Sequence, residues 1–262
     1  MNVVRFDFGL KYKLNRNWQL EAVVPYEIKD QDANVSGIEN IDDAEMRRKI
    51  LLYQEIHHRN ETYQGISDMD LLMSYHKHGL MMQNDMLTAK FGTTIPVGKT
   101  EEDPWKLGAM GMEHLHLQFG TGTFNPIADI RYAFPVYGGL SANVNVRSKV
   151  PFYENSKTYR GSWEITYTGG LRYQVTDWLS VQSSYLGLYQ SYAHWDGVID
   201  INTGLQFSMA SLGASFSTPY NIPLTITLML PIQQKTLYED SQNGSDAFKL
   251  GSLVSLTALY SF

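Results

Sequence analysis

Phe248-Lys249-Leu250-Gly251-Ser252-Leu253-Val254-Ser255-Leu256-Thr257-Ala258-Leu259-Tyr260-Ser261-Phe262 closes the chain. Phe248, Leu250, Ser252, Val254, Leu256, Ala258, Tyr260 and Phe262 share one face of an extended strand, and Lys249, Gly251, Ser255, Thr257 and Ser261 share the other. Leu253 and Leu259 break the alternation. A soluble domain seldom ends on so long a strand with an aromatic carboxyl terminus. A transmembrane barrel does, because its last strand faces lipid on one side and water on the other and finishes in an aromatic girdle.

The same period of two recurs upstream. Val4, Phe6, Phe8, Leu10, Tyr12 and Leu14 oppose Arg5, Asp7, Gly9, Lys11 and Lys13. Trp18, Leu20, Ala22, Val24, Tyr26 and Ile28 oppose Gln19, Glu21 and Glu27. Trp163, Ile165, Tyr167, Leu171 and Tyr173 oppose Glu164, Thr166, Thr168, Arg172 and Gln174. Charges on alternate positions mean that one face meets water. Most segments run roughly 11–15 residues, longer than the strands of globular sheets and long enough to cross a bilayer at a tilt.

The pattern predicts eleven strands, over 3–14, 18–28, 67–78, 85–97, 121–134, 139–152, 163–175, 178–191, 199–217, 223–237 and 248–262. Short connections (15–17, 79–84, 135–138, 176–177, 218–222) alternate with long ones (29–66, 98–120, 153–162, 192–198, 238–247). Outer-membrane barrels have short periplasmic turns and long external loops. Placing Phe262 at the periplasmic end puts every long connection outside. The expectation is one domain, 1–262: an all-β, transmembrane, antiparallel up-and-down barrel of about 12 strands. Eleven lie in this chain, so a further upward strand and a signal peptide are expected ahead of Met1; alternatively 199–217 merges two strands. Trp18, Tyr26, Trp163, Trp178 and Tyr260 are expected at the membrane interfaces.

Composition fits without deciding. The 262 residues carry a net charge of -6, which disfavours nucleic acid as a partner. Aromatics reach 13% and cysteine is absent, which excludes disulfides and thiolate metal sites. No run of about 18 apolar residues suggests a membrane helix. Within the long connection 29–66, a helix is predicted near 42–56, with Asp42 as N-cap and Met46, Ile50, Tyr53 and Ile56 on one face. It is expected to narrow the barrel mouth.

Three segments carry a family resemblance: Gly65-Ile66-Ser67-Asp68 opening a strand, Pro96-Val97-Gly98-Lys99 ending one, and Gly120-Thr121-Gly122-Thr123-Phe124-Asn125-Pro126 leading into the next. Val23-Val24-Pro25-Tyr26 belongs with them. In this order they resemble an outer-membrane family named for the meta-pathway of phenol degradation, across essentially the whole chain; Ser67 stands where that family usually has glycine. The resemblance implies an outer-membrane barrel that transports aromatic or other hydrophobic compounds.

The water-facing positions carry both signs. The pore-lining set expected from them is Arg5, Asp7, Lys11, Glu21, Asp68, Asp70, Lys90, Asp129, Arg131, Arg147, Glu164 and Arg172. For any one of these, a structural ion-pair or hydrogen-bond network is the more natural role. As a set they are balanced, which disfavours strong ion selectivity. The histidines (His57-His58, His76 with His78, His114 with His116) read as ordinary loop and girdle residues, and no metal site is assigned; a third ligand for His114 and His116 would have to come from Met110, Met112 or Glu113. No nucleophile elbow, zincin or phosphate-loop motif occurs, so neither catalysis nor a cofactor is expected. The expected function is passive passage of small hydrophobic or aromatic compounds across the outer membrane of a Gram-negative bacterium, with the lipid bilayer as partner. The alternative is a scaffold that holds an envelope protein partner, for electron transfer or secretion.

Overall fold

A computed structural model describes all residues except 1, 33, 34, 36, 58, 59, 218–221, 239–250 and 259–262. In chain order the elements are β1 (Asn2–Lys13), β2 (Trp18–Gln31), α1 (Ala44–His57), β3 (Glu61–Ile66), β4 (Met69–His78), β5 (Met86–Ile95), α2 (Pro104–Ala109), β6 (Pro126–Tyr137), β7 (Leu140–Lys149), β8 (Tyr159–Arg160), β9 (Glu164–Gln174), β10 (Leu179–Gln190), β11 (Ala193–Trp195), β12 (Val198–Asp200), β13 (Leu205–Ser217), β14 (Pro223–Thr236) and β15 (Leu253–Ala258).

One antiparallel sheet runs β1-β2-β4-β5-β6-β7-β9-β10-β13-β14-β15, each strand paired with the next. This is the eleven-strand up-and-down order that the alternation implies. Among the described residues β1 and β15 are the two edges of this sheet. Tyr260 and Phe262, the girdle end of the closing strand, lie outside the described residues, as does most of the connection 238–247.

The faces are inverted relative to a soluble domain. Apolar side chains of the strands are exposed: Leu10 is 71% exposed, Ile130 55%, Leu212 64% and Val254 76%. Several polar ones on the opposite face are covered: Ser74 is fully buried, Ser180 is 2% exposed and Glu21 5%. A soluble sandwich would pack its apolar faces on one another. Here they form a belt that only hydrocarbon would cover, while the concave side keeps its hydrogen-bonding groups. Aromatic pairs mark both rims. Trp18 lies tilted against Tyr75 at 4.9 Å, and Trp178 stacks at 6.4 Å on Phe216, at the end with short turns. Trp163 meets Tyr189 at 6.1 Å at the end with long loops.

Several boundaries differ from expectation. Strand β2 runs on to Gln31 and is met by β3, so 61–66 is strand rather than loop. Between Tyr26↔Ile66 and Val23↔Asp70, the three residues Ser67, Asp68 and Met69 oppose only Val24 and Pro25. This is a bulge, sited where Pro25 has no N–H to lose from the ladder. Residues 121–125 are not strand; they form a buried polar knot described below. The segment 199–217 does merge two strands, but β12 leaves the wall and joins β8 and β11 in a small sheet at the long-loop end. Asp196 and Gly197, both at positive φ, make the tight turn between β11 and β12.

Helix α1 begins two residues late. Its cap is Asp43, whose carboxylate accepts from Glu45 N at 2.8 Å and Met46 N at 3.2 Å; Asp42 is not the cap. Its covered side includes Ile50 and Ile56, while Met46 and Tyr53 point to solvent, 50% and 60% exposed. A second helix, α2, sits in the next long loop, with Asp103 as N-cap and Pro104 at its first position.

Candidate functional site: the polar interior and its loop clamp

Strand alternation delivers the charges of β1 to β9 to one concave face, and the register brings opposite signs together. Arg5 lies directly across from Glu27 and pairs with it at 3.2 Å, and with Asp7 at 2.9 Å. Lys90 reaches Glu21 across β4 at 2.7 Å. Arg147 binds Asp70 at 2.6 Å and lies 3.6 Å from Asp129. Lys149 pairs with Glu164 at 3.0 Å. In a site partly shielded from water, each such pair offsets the cost of desolvating its partner.

Two open cavities lie on this face. The first, about 410 Å³, is at the long-loop end; Arg5, Asp68, Asp70, Arg147 and Glu164 from the expected set line it. The second, about 530 Å³, lies toward the short turns and takes Lys11, Glu21, Lys90, Asp129 and Arg131. Lys11 and Arg131 face that space without an ion pair among the described residues. The two remaining residues line neither cavity: Asp7 holds Arg5, and Arg172 donates to Ser180 Oγ at 2.9 Å.

The first cavity also contains residues that the sequence reading left out. Lys29, assigned to a loop, is on β2; it pairs with Glu27 at 2.9 Å, donates to the Gln118 carbonyl at 3.0 Å, and stands over the Phe119 ring at 4.6 Å. Gln118, Phe119, Gly120 and Thr121 cross the mouth. The loop between β5 and β6 thus lines the first cavity, whereas α1 contributes no residue to either of the two.

Asp68 holds that loop in place. The bulge turns its carboxylate to the loop, where it accepts from Gly98 N at 3.1 Å, Thr121 N at 2.7 Å and Thr121 Oγ1 at 2.8 Å. The backbones of Gly98 and Gly120 touch so closely that a Cβ on Gly98 would stand 2.7 Å from Gly120 Cα. Beneath them Asn125, fully buried, donates to Thr94 Oγ1 at 3.0 Å and Thr121 Oγ1 at 2.7 Å, and accepts from Thr123 Oγ1 at 2.8 Å. The three motif segments of the sequence thus meet at one node, with Gly98 and Thr121 respectively 30 and 53 residues beyond Asp68 in the chain.

Other loops join this cap. Asn155 donates to the Thr121 carbonyl at 2.9 Å, and Lys106 on α2 pairs with Asp196 at 2.9 Å. The Asp196 carboxylate holds the Lys106 ammonium above its ordinary range. Tyr159, tilted against Trp195 at 4.7 Å, has its hydroxyl pushed up by burial and, less, by the carboxylates of Asp200 and Glu164.

From β10 onward the concave face changes character. Gln182, Ser184, Leu186 and Leu188 occupy it on β10, and Met209, Ser211 and Ser215 on β13. Hydroxyls pair there instead of charges: Ser184 with Ser211 at 2.6 Å, Ser215 with Thr225 at 2.8 Å.

No family model matches the chain, and no curated protein does. Among solved structures it is similar to an outer-membrane channel from Pseudomonas putida F1, with a TM-score of 0.60 at 13% identity, over 98% of this chain and 79% of that one. The fold is that of an outer-membrane β-barrel.

Proposed function

We propose that the chain is a passive channel of the bacterial outer membrane for small aromatic or otherwise hydrophobic compounds that carry a polar group. The observation that carries this reading is the pair of cavities on a water-compatible face, inside a wall whose outer surface is apolar. Similarity in fold to an outer-membrane channel over nearly the whole chain supports it. So do the residues that resemble the phenol meta-pathway family, because those same residues build the clamp at the mouth. A solute passes the loop at Phe119 and Lys29, lays its ring toward Leu186, Leu188 and Met209, and turns its polar group to the charged wall. Arg5, Asp70, Arg147 and Glu164 line its upper path, and Lys11, Glu21, Lys90, Asp129 and Arg131 its lower one.

Single-channel recording in planar bilayers tests this. Discrete current steps with weak ion selectivity are expected, because the paired charges nearly cancel. Replacing Lys11 and Arg131 by Glu together should move the reversal potential toward cation preference. Proteoliposomes should take up an aromatic carboxylate faster than a sugar of similar size. A folded, inserted chain that gives no current steps would overturn the channel reading and favour a scaffold.

A further inference from the structure

We infer that His57, His114 and His116 form a binding site for one divalent transition-metal ion of the zinc or copper kind, at the long-loop end and apart from both cavities. The three come from two separate parts of the chain. His57 is the last residue of α1, and His114 and His116 follow α2. One ring nitrogen of each lies within 4.8 Å of the others. Ring centroids are 4.3 Å apart for His57 and His114, 5.0 Å for His114 and His116, and 6.1 Å for His57 and His116.

The state of His114 points to a ligand. It is 4% exposed, and its Nδ1 lies 2.9 Å from the Met112 carbonyl. A carbonyl only accepts, so Nδ1 carries the hydrogen and the lone pair of the neutral ring is on Nε2. That Nε2 is buried with no hydrogen-bond partner. A backbone carbonyl fixing the tautomer while the other nitrogen is free is the arrangement that metal-bound imidazoles use. Gly108 provides the room: a Cβ there would stand 3.1 Å from His114 Cε1 and 3.2 Å from His57 Cε1. The C-terminal end of α1 also favours a cation.

Three imidazoles suit zinc or copper, with the fourth position left to water. At nitrogen–metal distances of about 2.0–2.1 Å the nitrogens would draw in to roughly 3.3 Å of one another. Binding would staple α1 to the loop that crosses the mouth, adding to the Ile56 carbonyl contact to His114 N at 3.4 Å.

The test is Zn²⁺ titration of the tag-free full chain, folded in detergent, by calorimetry. One saturable site per chain is expected. His114→Ala and His57→Ala should each weaken it at least ~10-fold, while His76→Ala and His194→Ala leave it unchanged. Zinc should also slow proteolysis within 32–60. Absence of a saturable site, or loss on His76→Ala but not on His114→Ala, overturns the assignment. If a variant fails to fold, Co²⁺ absorption of the unaltered chain decides: tetrahedral ligand-field bands support the site, and the spectrum of the hydrated ion overturns it. None of these readouts depends on passage through the barrel.

Discussion

The two walls of the barrel interior solve one problem in different ways. From β1 to β9 the concave face carries the charged side chains, most of them in ion pairs; β10, β13 and β15 contain no charged residue, and β14 contains only Lys235. Both walls satisfy polar groups on the inside of a wall that is apolar outside. The charged wall also carries the loop clamp and both cavities' charged lining, whereas the second wall carries hydroxyl pairs such as Ser184 with Ser211 beside the apolar Leu186, Leu188 and Met209. The ionic wall therefore holds position and field, and the hydroxyl wall continues the sheet at little electrostatic cost.

Breaking this contrast should give effects of graded size. Arg147→Met removes one cation and leaves Asp70 and Asp129 facing each other; a loss of about 3 kcal/mol in urea unfolding from lipid vesicles is expected. Adding Asp70→Asn and Asp129→Asn should recover most of it. Asp68→Asn keeps the shape but turns an amide toward three donors, for about 2 kcal/mol and a loop between β5 and β6 that proteases cut faster. On the other wall, Ser184→Ala should cost about 1 kcal/mol or less. If Ser184→Ala matched Arg147→Met, the division of labour would be refuted.

Asp85, in the short turn after β4, sharpens the comparison by pH. Burial pushes its carboxyl up, but the Tyr132 hydroxyl at 2.6 Å and the N–H groups of Met81, Met82 and Leu80 at 2.7 to 2.8 Å overcome this and hold it well below the carboxylate range. A lowered folded-state pKa contributes stability above the ordinary carboxylate range, and that contribution drains away as pH falls toward the folded value. Asp85→Asn should thus be less stable than the parent at pH 7, with the gap narrowing as the solution is acidified below about pH 4.

The faces of the strands were legible because a period of two writes itself into adjacent residues: Lys90 and Phe91, or Asp129 and Ile130, could be assigned to opposite sides without a fold. Ends and excursions were harder. Asp103-Pro104 and Asp196-Gly197 are local signals for a helix start and a tight turn, and both lay in loops where no periodicity drew attention to them. Lys29 lies past Ile28, where the apolar alternation ends, although β2 itself runs on to Gln31. The meeting of Asp68 with Gly98 and Thr121, and of His57 with His114, is set by how the loops fold over the mouth. No local spacing encodes it.

The central claim is that ionised side chains look into water while their sequence neighbours look into lipid. The chain is free of cysteine, so single cysteines can report each side. In the consecutive residues Asp129, Ile130 and Arg131 of β6, cysteine in place of each should be probed in lipid vesicles with a charged, membrane-impermeant maleimide. Labelling at Asp129→Cys and Arg131→Cys, with Ile130→Cys protected, is the expected result. Equal labelling at all three, or labelling at Ile130→Cys alone, would contradict it.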